Sequence, residues 1–571
     1  MGERKISLPQ DLILSKLLAA ARQFPESETV VHDAYGFEKS YPELLGDILQ
    51  MRDTIREGLP VSAIDGQGIL YETSKYIATL TRTSYEVLVA FFAIQSMGGV
   101  WVPLGSGVFP EEAEYILAKV KSTCLLVGRE STERAEDISS YIYKNGGSVT
   151  LTMLPIVCGS EPLSPMDIAI NDTLHLDPAE PSMVMFTSGT TGRPKGVVLS
   201  RRLFADSEIA GPGRVAITHR PKNWLSGACE LIDPVLRGKK LYAIKESMGG
   251  IRADAVLATF RDHRITDAEF TPALLRRMKN KLTDQIRAAS NEEEERERLS
   301  SRYKDLTAIT STSGVAEPST IDFWKSFTGL PFGNIYGSTE LGGIAIGGYP
   351  VAKGSICTPL PGMEVKLSEG DSGEIYVKSP RMFLRYFGDE KATQGAFNEE
   401  GYYKTGDLGI FKDGEYIFAG RANTDYVQFC TYRFSTVDVE SRLLDLPYIS
   451  DACAVAVPSH NYKQLCAAIV QFQPDIKSTS QPDLAKIRSD LSSSLGVHML
   501  PNLLRVLKDD EKLPRTISEK PIRRQILQEY FGVVNGAPPE NLPLEVQRCE
   551  KPFVPSREPK AWERAGLQFA R

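Results

Sequence analysis

Short apolar runs and longer amphipathic stretches alternate through the first part of the chain. YIATLT (76–81) is followed by SYEVLVAFFAIQSMGG (84–99), VWVPLG (100–105), PEEAEYILAKVK (110–121) and TCLLVG (123–128). The short runs read as strands, and the longer segments carry apolar residues at helical spacing. This alternation predicts a parallel sheet with crossover helices. The chain start has a helical pattern of its own from Leu12 onward. The most apolar run, Val87 to Ile94, ends at Gln95 and a glycine pair. It falls far short of the roughly 20 residues that a membrane helix needs.

The texture changes along the chain. Around residues 283 to 304, a mixed charge run rich in Glu and Arg predicts a solvated surface helix or connection. From Gly373, GEIYVKS and GYYKTGDLGIFKDGEYIFAG predict short strands joined by Gly-containing turns, a hairpin meander. After Arg421, the segments VDVESRLLDL, DACAVAVPS, CAAIVQFQP, DLAKIRSDLSSSL and LLRVLKD predict a compact α+β unit. Residues beyond 535 are Pro-rich and weakly periodic, which predicts an irregular tail. The expected organisation is therefore a large domain over 1–420, a small domain over 421–535 and a tail over 536–571.

Composition narrows the function classes. A chain of 571 residues is too long for one hydrophobic core. Its net charge of -7 provides no basic excess for nucleic acid or an anionic membrane, so neither is expected as a partner. The 8 cysteines show no C-x-x-C pair or metal-ligand spacing, so reduced thiols, a cytoplasmic location and no structural zinc are expected. The first residues lack a secretory cleavage pattern, and the myristoylation pattern fails at Ile6.

The stretch FTSGTTGRPKG, Phe186 to Gly196, lies between the apolar segments MVM and VVL. Its glycines allow backbone N–H groups to converge, Thr187, Ser188, Thr190 and Thr191 add hydroxyl donors, and Lys195 adds a full charge. That chemistry suits phosphate. The P-loop pattern does not fit, because Pro194 stands where its second glycine must be and Gly196 where its Ser or Thr must be. TSGTTGRPKG closely resembles the signature of the adenylate-forming superfamily, which includes acyl-CoA synthetases, adenylation domains and luciferases. The resemblance covers roughly residues 10 to 530 and is nearest to the malonyl-CoA synthetase and coumarate-CoA ligase branch.

What the resemblance implies can be followed along the chain. Thr187, Ser188, Gly189, Thr190, Thr191, Gly192 and Lys195 would fold over the ATP phosphates. TSGVAEP resembles the adenine-pocket segment and implicates Gly314, Val315 and Ala316. IYGSTE resembles the YGxTE segment: Tyr336 would stack on adenine, Gly337, Ser338 and Thr339 would line the nucleotide, Thr339 would meet phosphate, and Glu340 would ligate Mg2+. Asp407 of YYKTGDLG and Arg421 of the following GR would grip the ribose hydroxyls. LPRTISEKPIRR resembles the element carrying the mobile catalytic lysine, which falls on Lys520. Taken singly, each short segment reads equally as a turn or cap. Their number and order carry the resemblance.

Several positions depart from the pattern. In GRANTDYVQFCTYRFSTVDVE, Gln428 replaces a lysine, while Cys430 and Thr431 stand where glycines usually admit the pantetheine arm. Side chains there are expected to narrow that tunnel or to force its backbone to change. Glu519 replaces a glycine beside Lys520, Trp224 stands near the usual acyl-pocket histidine, and Lys353 alone represents the basic pair before GS. A second carboxylate on the substrate is therefore unsupported.

The resemblance implies an α/β fold with a large multi-sheet adenylation domain and a small mobile α+β lid, pivoting near Asn423. It also implies an acid–thiol ligase using ATP, Mg2+ and CoA on a small carboxylic acid, in a specialised pathway. Two alternatives stay open: an enzyme loading a carrier protein without free CoA, and a non-catalytic nucleotide-binding homologue.

Overall fold

The computed structural model describes residues 6–145, 151–187, 194–246, 253–350, 352, 354–421, 425–430, 432–474, 476, 481–508, 510–516, 520–534 and 536–549. Among these, the predicted alternation becomes a 7-stranded sheet. Its strands Tyr76–Leu80, Val100–Leu104, Cys124–Val127 and Thr152–Pro155 run parallel. Helices Tyr85–Ser96 and Pro110–Val120 cross between them. Every residue of Tyr85–Ser96 is buried, which explains a run with no polar face. The first helix, Leu12–Gln23, starts where the Asp11 carboxylate accepts the amides of Ile13 and Leu14.

At the sheet's other edge, Pro181–Thr187 and Lys195–Ser200 pair antiparallel, with Thr187 opposite Lys195. The Gly-rich stretch thus lies in sequence between two paired strands whose central residues are buried. Strand Arg385–Tyr386 extends that edge, with Tyr386 opposite Val197.

A 9-stranded sheet carries the adenine-segment and ribose-segment residues. Glu269–Phe270, Ile309–Thr312 and Phe332–Ser338 lie parallel, and antiparallel strands follow. The expected meander appears as the antiparallel pair Tyr403–Lys412 and Glu415–Arg421. The charge run around residues 283 to 304 contains helix Glu292–Ser300, in which only Leu299 is buried.

From Tyr426 onward the chain builds a separate 6-stranded sheet with its own apolar core. Helices Thr436–Leu444 and Leu484–Leu491 contribute apolar residues to that core. The segment beyond 535 is not wholly irregular. Val546–Arg548 pairs antiparallel with Leu503–Val506, because a sheet edge supplies partners that a weak sequence pattern does not need to announce.

Candidate active site

The most informative pairing is cross-strand. Asp407 and Arg421 lie directly opposite each other in the meander. Arg421 Nε donates to Asp407 Oδ1 at 2.9 Å, and Tyr336 Oη donates to Asp407 Oδ2 at 2.7 Å. Thr405 Oγ1 accepts the Asp407 amide at 3.0 Å. Burial opposes the charge on Arg421, but its pairing with Asp407 prevails and holds its pKa above the ordinary value. Burial, reinforced by the Asp407 charge, keeps the Tyr336 phenol protonated. A tyrosine ring, a carboxylate and a guanidinium are thus linked across residues far apart in sequence.

Tyr336 sits near the end of a strand where a bulge separates it from Gly337. A Cβ on Gly337 would stand 2.0 Å from the Gly343 carbonyl oxygen, so only glycine permits this close approach. Ser338 ends that strand and Thr339 and Glu340 follow in the turn, each of the three half-buried. Upstream, Ser313 takes φ 68, a left-handed turn that leaves Gly314 exposed. Val315 and Tyr336 both pack against the large domain's core, and Ala316 belongs to a second cluster.

A second cluster joins the Gly-rich segment to Glu340. Lys195 Nζ lies 5.0 Å from the centroid of the Tyr386 ring, and Tyr386 Oη donates to Glu340 Oε1 at 3.1 Å. Tyr386 escaped the sequence reading. Its place follows from a strand contact between residues 197 and 386, and no local pattern in LRYFGDE signals that partner. Thr187 is described, whereas Ser188, Gly189, Thr190, Thr191 and Gly192 lie outside the described residues, as do Lys353, Asn423, Thr431 and Glu519.

Lys520 comes from the small domain. The Thr516 amide donates to the Lys520 carbonyl at 2.8 Å, and the Lys520 amide donates to Thr516 Oγ1 at 3.2 Å, closing the loop that presents it. Lys520 is exposed, yet desolvation by the protein around it lowers its pKa from the ordinary value. Arg421 lowers it further, while Asp407, Asp425 and Glu340 act in the opposite sense. Those four charges therefore act on Lys520.

Comparison with known proteins identifies the family. The profile described as "AMP-binding enzyme" matches residues 65–387. The chain belongs to the AMP-binding enzyme family. It is 30% identical over 532 residues to the acyl-CoA ligase oryP of Aspergillus oryzae, covering 92% of this chain and 93% of that protein. It is 24% identical over 528 residues to a malonate–CoA ligase of Arabidopsis thaliana, covering 86% and 85%. In fold it is similar to the anthranilate CoA ligase AuaEII in complex with anthranoyl-AMP, with TM-score 0.72, 20% identity and coverage of 90% and 96%. It is also similar to the o-succinylbenzoate CoA synthetase of Bacillus subtilis in complex with its acyl-adenylate intermediate, with TM-score 0.70, 19% identity and coverage of 90% and 97%. The expected fold, a large multi-sheet α/β domain with a smaller C-terminal α+β unit, is the fold observed.

The departures from the family pattern have a structural outcome. Cys430 follows strand Tyr426–Phe429 and precedes Tyr432–Ser435, in the turn of a tight hairpin. It adopts φ 53, so the backbone keeps a left-handed turn despite the side chain. Gln428 Nε2 donates to the carbonyls of Cys430 at 3.1 Å and Tyr432 at 3.3 Å, tying down the turn. Burial pushes the Cys430 thiol up, against the thiolate form that a reactive cysteine needs. Among the described residues no group of three or more His, Cys, Asp or Glu is placed to hold a metal, and no helix is long and apolar enough to cross a membrane.

Proposed function

We propose that the protein is an ATP-dependent acid–thiol ligase that converts a carboxylic acid to its acyl adenylate and then to its coenzyme A thioester. What carries this reading is the hydrogen-bonded chain Tyr336–Asp407–Arg421, with Tyr386 joining Glu340 to Lys195 and the charges of Arg421, Asp407 and Glu340 acting on Lys520. Asp407 offers two carboxylate oxygens to ribose hydroxyls, Arg421 holds it in place, and Tyr336 supplies a face for adenine. Lys195 and the Gly-rich stretch meet the outer phosphates, together with Thr339.

Glu340 offers hard oxygen ligands at the phosphate end, which fits Mg2+; when bound, the ion offsets phosphate charge and orients the leaving pyrophosphate. The substrate carboxylate is already ionised at neutral pH and needs no general base. Its oxygen bonds to the α-phosphorus, the bond to pyrophosphate breaks, and the Lys520 ammonium stabilises the charge that develops between carboxylate and phosphate. The small domain then turns, withdrawing Lys520 so that a thiol can take the acyl group and release AMP. The cytoplasm is the compartment this reading assigns, since 8 free cysteines suit a reducing milieu.

The test is acid-dependent exchange of labelled pyrophosphate into ATP over a panel of carboxylic acids, followed by AMP release with and without CoA. Exchange together with CoA-stimulated AMP release supports the ligase. Exchange without CoA stimulation selects the carrier-protein reading. No exchange with any acid selects the non-catalytic one.

A further inference from the structure

The short segment 383–387 is bonded to two stretches of chain that the reaction uses. The Phe387 amide donates to the Gly196 carbonyl at 2.7 Å and the Leu384 amide to the Val198 carbonyl at 2.8 Å, which fixes the segment beside the strand that begins at Lys195. The Phe383 amide donates to the Glu340 carbonyl at 2.8 Å. Tyr386 is itself held: its amide donates to Thr393 Oγ1 at 3.0 Å, and its ring centroid lies 4.8 Å from that of Phe383. It is buried. A side chain fixed in this way has little freedom to choose its contacts.

Those contacts are two opposite charges. The Lys195 ammonium lies 5.0 Å from the centroid of the ring, and the hydroxyl donates to Glu340 Oε1 at 3.1 Å. A ring face attracts an ammonium without neutralising it, and a phenol supports a carboxylate without adding charge. A direct ion pair between Lys195 and Glu340 would have to open before either met a nucleotide. One neutral side chain that engages both leaves both charges available.

The donor chemistry at Glu340 suits Mg2+. That ion is usually held by one or two carboxylates together with substrate phosphates, so it needs no larger protein cluster, and among the described residues none is placed to hold a metal. A ligating carboxylate is oriented by the hydrogen bonds it accepts from its surroundings, and losing such support typically lowers metal affinity about 10- to 100-fold.

Building on the ligase reading, we propose that Tyr386 is a positioning residue for the magnesium–triphosphate end of ATP: its hydroxyl orients Glu340 for the ion, and its ring keeps Lys195 from pairing with Glu340, so that the ammonium serves the outer phosphates. The acid substrate has no part in this role.

The experiment measures ATP binding to the full-length protein by calorimetry, in EDTA and over a Mg2+ titration, alongside pyrophosphate exchange. Tyr386→Phe keeps the ring and loses the hydroxyl. Its Mg2+ midpoint for ATP binding should rise at least about 10-fold, while ATP affinity in EDTA and KM for the acid stay unchanged, a split that general loosening of the fold does not produce. Tyr386→Leu loses the ring as well and lets Lys195 close on Glu340, so its ATP affinity should fall about 3-fold in EDTA too. A wild-type Mg2+ midpoint in Tyr386→Phe, an equal loss with and without Mg2+ in that variant, or an unchanged affinity in EDTA for Tyr386→Leu overturns this inference. The ligase reading then stands as long as the wild-type protein exchanges pyrophosphate. A wild-type protein with neither Mg2+-dependent ATP binding nor exchange removes both.

Discussion

At the scale of single residues, Asp407 takes hydrogen bonds from two side chains at once, Tyr336 and Arg421. Asp407→Asn turns an amide N–H toward one of those donors and removes the charge. We expect kcat/KM for ATP in pyrophosphate exchange to fall about 10- to 100-fold, the effect of leaving one such buried group unmatched. Thermal stability should change far less. Lys520 gives a pH-dependent outcome. Crowding by protein and then Arg421 lower its pKa below 10.5, so its ammonium is lost at lower pH than that of a free lysine. The alkaline limb of kcat/KM for adenylation should fall below pH 10.5 and move upward in Lys520→Arg. Most of these residues could be read in the sequence, because each sits in a short motif whose spacing the chemistry fixes. Tyr386 could not, since its place beside Lys195 and Glu340 comes from a strand neighbour distant in the chain, which leaves no local pattern.

At the scale of elements, the hairpin from Tyr426 to Ser435 holds a non-glycine residue in a left-handed turn. A side chain in that conformation costs about 1–3 kcal/mol, partly offset in a glycine variant by the freedom glycine gains when unfolded. Cys430→Gly should therefore stabilise the protein by about 0.5–1 kcal/mol in denaturant titrations. The same variant should quicken CoA-dependent AMP release while leaving pyrophosphate exchange unchanged. Strand–helix alternation over residues 76–128 was legible because buried parallel strands and their crossovers need distinct apolar periods. The Val546–Arg548 strand was not, because three residues at an edge carry too little period to register.

At the scale of the whole molecule, the two domains meet through a small ionic cluster. Asp451 of the C-terminal sheet is 2.7 Å from Arg515 Nη2, on the loop that presents Lys520, and 3.1 Å from Arg276 Nη2 of the large domain. Arg276 also pairs with Glu317. Asp451 thus ties the loop carrying Lys520 to the large domain, the arrangement that the proposed mechanism uses for adenylation. Asp451→Ala should weaken this arrangement by about 1 kcal/mol. Single-turnover kinetics should show slower acyl-adenylate formation and an equal or faster thioester step, whereas a purely structural loss slows both.

The late return of residues 546–548 has a practical bearing on how the protein is prepared. A recombinant chain stopped after residue 535 strips the cover from Leu503–Val506, whose Leu503 and Leu504 are wholly buried, and bares a row of amides and carbonyls. Such a border invites sheet-to-sheet sticking between molecules, so the shortened protein should elute as larger species on gel filtration where the full-length one does not.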